Sequence, residues 1–440
     1  MFSETSQPLT TQNNGDEHEA PIISEHELVD AIHRPLTLIS NLPKEHVPSI
    51  TNPPPSAPTS DVTNNRRLII VGDTHGRLHT LRLLLDQISF DNTTDHLILA
   101  GDLVTKGPNS RGLVQFARDI GAIAVRGNHD DHVLEAAKWL SRIKQGKKWW
   151  GKAENEGDNL SDDEEEALEK REEERDIFDI TSRRNKKPKG VKREHIVVAR
   201  SLTAAQLHWL ASQPIILRVG HLDGAKTTPW NAKEVVVVHG GLIPGLPLEK
   251  QDPWAVMNMR SLAYELATSS ALDNTSNDET IEAAHKKITT TPLDTRDGEP
   301  WSRAWNRYQN LISNASKRVA VVYGHDARSG LKVDKDITIN LGKSPIPISA
   351  RQITEIESEV DIELESDVEE RSSAEEEEGN EVDAERRGRK KKKAKKIKGT
   401  RYAYGLDSGC GHGKQLTALV LEINEAGDDF VHRIEQVDCN

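Results

Sequence analysis

Five apolar runs, far apart in the chain, each stop at a glycine beside a side chain able to hold a metal ion. They are Leu68-Ile-Ile-Val-Gly-Asp73-Thr-His75-Gly76, Leu97-Ile-Leu-Ala-Gly-Asp102, Ala124-Val-Arg126-Gly-Asn128-His129-Asp130, Val235-Val-Val-Val-His239-Gly-Gly241 and Val319-Ala-Val-Val-Tyr-Gly-His325-Asp326. A run of Val, Ile and Leu without polar alternation is covered on both faces, as strands of parallel sheets are. Such a chain has to stack cover on both sides of a sheet. Its ligand-bearing stops then fall at strand ends, where open α/β sheets place their sites.

From Arg67 to Val125 the pattern is strand, helix, strand, helix, strand. Leu68–Val71, Leu97–Ala100 and Ala122–Val125 are the strands. Leu78, Leu81, Leu84, Leu85 and Ile88 recur at helical spacing, and Gly112–Ile120 predicts a second helix. Right-handed crossovers bring the three strand ends to one rim. Near the end of the chain, Tyr402–Leu406 and Leu416–Ile423 read as closing strands of a second sheet.

Much of the chain lacks a core pattern. The first sixty or so residues are polar and Pro-rich, and predict a disordered arm over residues 1–64. Two acid-then-basic insertions, about 152–194 and 355–399, have no apolar face and read as disordered surface loops within one domain, residues 65–438. Residues 267–291 are polar and weakly patterned. The net charge of −13 is concentrated in the insertions, so it says little about the site. With only Cys410 and Cys439, no disulfide framework is available and a Cys-based zinc site is excluded. Cys410 reads as a packed, unreactive thiol, in keeping with a reducing compartment. No run of about 18 apolar residues exists and no signal-peptide core follows Met1, so the expected location is cytoplasmic.

Asp73 and His75 flank Thr74, and residues i and i+2 of an extended segment face the same way, so both can hold one cation. Asp102 can bridge to a second cation, and Asn128, His239 and His325 complete an oxygen and nitrogen set. Two divalent metal ions of the Zn²⁺, Mn²⁺, Co²⁺ or Fe type suit such donors better than Ca²⁺ does. Together they polarise a phosphoryl group and supply a nucleophile at neutral pH. Taken singly, each block also reads as an ordinary turn or a satisfied histidine. Five in this arrangement read as a metal site.

The blocks resemble the calcineurin-like metallophosphoesterase superfamily, in its phosphoprotein-phosphatase-type branch. Gly101-Asp-Leu-Val-Thr-Lys-Gly-Pro108, Val125-Arg-Gly-Asn-His-Asp130, Tyr323-Gly-His-Asp-Ala327 and Gly405-Leu-Asp-Ser-Gly-Cys410 are similar to the ApaH-like phosphatases, which include a fungal zinc-dependent endopolyphosphatase. The resemblance implies an α/β fold, a β-sandwich of two mixed sheets flanked by helices. It implies that Asp73, His75 and Asp102 hold one metal and that Asp102, Asn128, His239 and His325 hold the other, with zinc favoured. His129 would be the general acid, Arg126 would grip phosphate oxygens, and Lys106 would offer a point charge. Arg260, in Met257-Asn-Met-Arg260, is a candidate second clamp or a surface helix arginine.

One departure bears on substrate. Protein phosphatases of this type carry Asp then Arg where this chain has Thr105 and Lys106. Without that carboxylate the acid histidine is less basic, which favours the good leaving group of a phosphoanhydride. The resemblance therefore implies an endopolyphosphatase acting on inorganic polyphosphate. The alternatives are hydrolysis of a dinucleoside polyphosphate or an mRNA cap, a protein Ser/Thr phosphatase, or a non-enzymatic scaffold. Relatives that are anchored in the vacuole leave that compartment as the alternative location. The basic run Arg386–Lys398 reads as a solvated loop, a polyanion tether or a nuclear-localisation-like patch. Trp301-Ser-Arg-Ala-Trp305 reads as a lid over a base or phosphate, or as a core helix.

Overall fold

The computed structural model describes residues 24–50, 66–144, 149–150, 186–266, 288–340 and 396–439. In chain order its strands are β1 (Ile39–Asn41), β2 (Arg67–Val71), β3 (Asp95–Leu99), β4 (Ile123–Ala124), β5 (Ile216–Gly220), β6 (Glu234–Val238), β7 (Ser261–Leu266), β8 (Ile288–Leu293), β9 (Glu299–Pro300), β10 (Val319–Tyr323), β11 (Asp336–Asn340), β12 (Lys396–Thr400), β13 (Ala403–Gly405), β14 (Gln415–Ile423) and β15 (Phe430–Asp438). The first sheet has the order β15-β14-β2-β3-β4 and the second β1-β5-β6-β10-β13. Both are mixed, as expected for an α/β sandwich of two sheets. β2, β3 and β4 run parallel, as do β6, β10 and β13. Two small sheets, β8-β7-β9 and β11-β12, complete the topology.

The alternation along β2 explains the layering. Leu68 and Ile70 pack with Ile98, Leu419, Val236 and Val321 between the sheets. Ile69 and Val71 point the other way, onto Leu81, Leu84 and Leu85 of the helix Leu78–Ile88. Strand residues face opposite sides in turn, so one run feeds two cores. Burying each large apolar side chain stabilises by about 1.5–3 kcal/mol.

Several expectations need correction. Residues 24–50, assigned to the disordered arm, form a helix Glu25–His33 and strand β1. Ser24 and Glu27 form a capping box, and Leu28 and Ile32, one turn apart, are buried in the helical core. β1 pairs parallel with β5. β14 does not close the second sheet. It pairs antiparallel with β2 in the first. The ends of both expected insertions are structured: residues 193–194 begin the helix Arg193–Ser201, and 396–399 lie in β12. Residues 151–185 and 341–395, which hold most of both insertions, lie outside the described residues, as do 1–23 and 51–65. Of the weakly patterned stretch, 288–291 belong to β8. Finally, Cys410 and Cys439 are joined in a disulfide, so the reading of both as separate thiols fails. No described helix is long and apolar enough to cross a membrane.

Candidate metal centre

Asp73 follows β2, Asp102 follows β3, Asn128 opens the helix after β4, His239 follows β6 and His325 follows β10. Because these strands run parallel within their sheets, their ends meet at one rim. The turns that aim the side chains inward are strained. His75, Asp102, Thr105, Lys106 and His325 all have positive φ, from 44° to 74°. Outside glycine such backbone costs roughly 1–3 kcal/mol per residue and persists only where surrounding contacts hold it. At Gly324 the reason for glycine is contact, since a Cβ there would sit 2.1 Å from an Asp73 carboxylate oxygen.

Two groups of ligand atoms share one carboxylate: Asp73, His75 and Asp102, then Asp102, His239 and His325. All five side chains are buried. His75 Nε2 lies 3.8 Å from Asp73 and 3.7 Å from Asp102. His239 Nε2 lies 3.3 Å from Asp102 Oδ1, 3.1 Å from Asn128 Oδ1 and 3.2 Å from His325 Nδ1.

The outer hydrogen bonds fix which nitrogens are free. His239 Nδ1 faces the Ala100 carbonyl at 2.9 Å, and His325 Nε2 faces the Asn258 carbonyl at 2.9 Å. A carbonyl only accepts, so those nitrogens carry the protons and the neutral rings present lone pairs at His239 Nε2 and His325 Nδ1. With both rings neutral, two imidazole lone pairs, a carboxylate oxygen and an amide oxygen converge on one point, and without a metal a proton on His239 stands in for the missing positive charge. His75 is oriented likewise, its Nδ1 facing the Val104 carbonyl at 3.3 Å and its Nε2 left as the acceptor. Its Nε2 meets the Lys106 ammonium at 2.8 Å. Such sets repel one another unless a cation stands between them, and their nitrogen and oxygen donors fit a divalent ion.

The protonation balance reflects the same crowding. Burial alone would lower His239, but the Asp102 and Asp73 carboxylates push it up to about 10. A proton there supplies the positive charge that the two carboxylates draw. Burial opposes ionisation of Asp102, yet His239, His129 and His75 hold its carboxyl well below the usual range. Asp73 moves well above it, through burial and the neighbouring Asp407 and Asp102. Burial takes His75 down to about 3.

His129 is held by two contacts. Its backbone N–H donates to Asp102 at 2.8 Å, and its Nδ1 lies 2.7 Å from the Thr105 hydroxyl. Thr105 therefore occupies the orienting position left without a carboxylate. Lys106 stands on His75 rather than over an open phosphate site. Arg126 is buried, and its guanidinium contacts the Ala211 carbonyl and the Asp131 carboxylate. These contacts hold the guanidinium against the wall of the site. Arg260 comes to the centre from the other side, donating to the Asp294 carbonyl at 2.9 Å and lying 3.8 Å from Asp326. That position excludes the plain surface-helix reading.

Sequence reasoning missed three contributors. Asp130 is buried and accepts the N–H groups of Leu103, Val104 and Gly127, tying two ligand loops together. Asp407 is buried beside Asp73 and its charge helps to raise the Asp73 pKa. His195 lies with Glu194 beside His129 in a third cluster. Its Nδ1 accepts the Lys192 N–H at 3.0 Å, so its Nε2 carries the proton and is no metal ligand. Asp130 and Asp407 had local signals, the one as the acid after Asn128 and His129 and the other within Gly405-Leu-Asp-Ser-Gly-Cys410, and His195 had none. Trp301 is buried against Tyr323, ring centroids 4.7 Å apart, which makes its helix core rather than lid.

A carboxylate shared by two nitrogen and oxygen clusters, on the rim of a two-sheet sandwich, is the architecture of a dinuclear metal hydrolase. The family model for calcineurin-like phosphoesterases matches residues 66–329, more than half of the chain, and the chain belongs to that family. Its members work with a dinuclear divalent metal centre. Among curated proteins, the symmetrical bis(5'-nucleosyl)-tetraphosphatase of Aliivibrio salmonicida (strain LFI1238) is 48% identical over 77 residues, 17% of this chain and 28% of its own. The enzyme of that name from Erwinia tasmaniensis is 44% identical over the same shares. The chain thus spans little more than a quarter of these relatives. A crystal structure provisionally assigned as a diadenosine tetraphosphatase aligns with 91% of this chain and 98% of its own at 21% identity, with a TM-score of 0.44.

Proposed function

We propose that this chain is a metal-dependent hydrolase of phosphoanhydride bonds. The observation that carries the reading is the convergence of acceptor lone pairs around Asp102, joined to an acid histidine that has a hydroxyl behind it instead of a carboxylate. Asp73, His75 and Asp102 would hold one divalent ion, and Asp102, Asn128, His239 and His325 the other. When bound, the pair supplies Lewis acidity and a nucleophile at neutral pH. The remaining steps belong to the chain. As the acid, His129 acts in its cationic form: the Thr105 hydroxyl accepts from Nδ1–H, and the Nε2 proton goes to the leaving oxygen, which leaves a neutral ring. Burial lowers the His129 pKa, despite the Asp102 charge. A weakly basic ring of this kind suits a leaving group that needs little protonation, as a phosphate leaving from an anhydride is. Lys106, once displaced from His75, offers a point charge to phosphate oxygens, and Arg260 a clamp.

Two chain-like substrates fit. Inorganic polyphosphate, cleaved internally, is the reading that the sequence resemblance favours, and the basic runs around 183–193 and 386–398 would attract such a polyanion. The named activity of the tetraphosphatase relatives favours a dinucleoside polyphosphate. Zinc, manganese, cobalt and iron all suit the donors, with zinc first by resemblance. The Cys410–Cys439 disulfide is of the kind that persists in oxidising compartments, so it speaks against the reducing compartment read from the two cysteines. The test is product analysis on long-chain polyphosphate, diadenosine tetraphosphate and a phosphopeptide, each with Zn²⁺, Mn²⁺, Co²⁺ and Mg²⁺. Anhydride cleavage with little phosphopeptide turnover supports the proposal. Preference for the phosphopeptide, or no cleavage with any metal, overturns it.

A further inference from the structure

β15 is the outer strand of the first sheet, and among the described residues no strand pairs with its other edge. It runs for nine residues, all of them in unbroken register with β14. The next residue, Cys439, is tied to Cys410 by the disulfide, so the end of the strand is fixed as well. An edge of this kind presents a row of backbone N–H and C=O groups to any strand that can lie beside it. Solitary edges are blunted by shortness, bulges, Lys or Pro, whereas β15 is long, free of bulges and without Lys or Pro.

Apolar surface collects at the same place. Among the described residues three large apolar side chains are exposed, Leu83, Trp254 and Val431, and two of them stand at this edge. Val431 belongs to β15 itself. Leu83 lies one turn before Gln87 on the helix Leu78–Ile88, and Gln87 donates to Glu435 of β15 at 2.8 Å. Residues one turn apart share a helix face, so this face overlooks the edge.

The order of residues in the strand says what fits it. Two strands paired about a two-fold axis are self-complementary: where i faces j, j faces i. Backbone groups point alternately to either side along an antiparallel strand, so outward residues have to meet outward residues and the axis passes through a residue, not between two. An axis at Arg433 or at Glu435 sets like charges face to face, which destabilises the pairing. An axis at Ile434 pairs all nine residues, and every other axis leaves part of the strand unpaired. It sets Arg433 against the partner's Glu435, Val431 against the partner's Val437, and Ile434 against its own copy. Within one chain Arg433 already bonds to Glu422 and Glu435, so the partner's Glu435 joins an existing charge network.

We propose that a second copy of this chain docks on β15 by antiparallel pairing centred on Ile434, joining the two first sheets into one across a two-fold axis. Such a dimer needs neither metal nor substrate, so it stands apart from the hydrolase reading.

Sedimentation of the full chain over a range of concentrations tests it. The wild type should show a monomer–dimer equilibrium. Arg433→Glu and Glu435→Arg each turn both cross-strand charge pairs into like-charge pairs, and should weaken dimerisation about tenfold. An equimolar mixture of the two variants restores opposite charges at both pairs and should dimerise as the wild type does. A wild type that stays monomeric, variants that dimerise as tightly as it does, or a mixture no tighter than its components overturns the proposal. Ile434→Cys tests the register without altering charge. Both natural cysteines are held in the disulfide, so the new thiol is the only free one. At the axis its Cα lies about 4.5–5.5 Å from its copy, within disulfide reach. Mild oxidation should yield a cross-linked dimer on a non-reducing gel. Absence of the cross-link overturns the register, whether or not the charge variants fold.

Discussion

Asp102→Asn should have the largest effect of any single substitution on metal content. Asp102 belongs to both ligand groups, lies 3.3 Å from His239 Nε2 and 3.7 Å from His75 Nε2, and accepts the His129 N–H. At an effective dielectric constant near 20, one unit charge at 3.3 Å from another contributes about 5 kcal/mol. Removing the charge also removes the cost of burying it, itself several kcal/mol. The net loss is then about 1–3 kcal/mol for each ion, or roughly 10–100-fold in affinity at both positions. The asparagine keeps the volume and one acceptor, so the fold should survive. Its NH₂ group, however, is a donor where a cation is expected. Calorimetric titration with Zn²⁺ and Mn²⁺, together with metal counting by mass spectrometry, reads the effect. Two ions bound at wild-type affinity with normal turnover would refute the bridging role, and so would loss of only one ion with the other unaffected.

Three further outcomes are expected from the same geometry. His129→Asn should leave both ions bound and slow kcat by about 10²–10⁴, with a smaller loss on substrates whose leaving groups are more acidic; a uniform loss across leaving groups, read by steady-state kinetics, would remove it as the acid. Thr105→Asp with Lys106→Arg should raise the ratio of phosphate monoester to anhydride turnover, because a carboxylate then backs His129 Nδ1. Asp also tolerates the φ of 74° better than a β-branched Thr does, so the melting temperature should not fall. The metal-free protein should lose stability between about pH 6.5 and 10. The folded-state pKa of His239 is raised to about 10, so its contribution is complete below the unfolded value near 6.5 and is lost as pH climbs through 10. Raised Asp73 acts in the same direction. Chemical denaturation across that window reads it, and a stability that rises with pH contradicts the role of His239 as the compensating charge.

The parts of this molecule that could be read from sequence are those whose signal is local. The helix Leu78–Ile88 matches its leucine spacing residue for residue, and every expected metal ligand stands at a strand end, because runs buried on both faces have few other arrangements. What escaped depends on distant partners. The helix Glu25–His33 is short, and its stability comes from Leu28 and Ile32 packing with residues such as Leu207 and Leu210, far along the chain. β14 was legible as a strand but not as the neighbour of β2, since pairing across more than 300 residues leaves no mark in either segment. The disulfide was hidden for the same reason. Two lone cysteines read alike whether apart or joined.

The site itself shows where local rules give way. Thr105 and Lys106 lie in the loop between Gly101 and Gly107, yet they take left-handed backbone while the adjoining Gly107 does not. A β-branched residue at φ 74° is unfavourable unless tertiary contacts hold it. Here the Thr105 N–H donates to Ser110 at 2.9 Å and its hydroxyl meets His129 at 2.7 Å. Asp130 pins the preceding residues, Leu103 and Val104. The strain is therefore borne by contacts that also orient the acid and the first ligand group. Disagreement between residue type and backbone thus marks the functional loop as clearly as the ligands do, and it picks out Thr105 as the position where geometry and leaving-group preference meet.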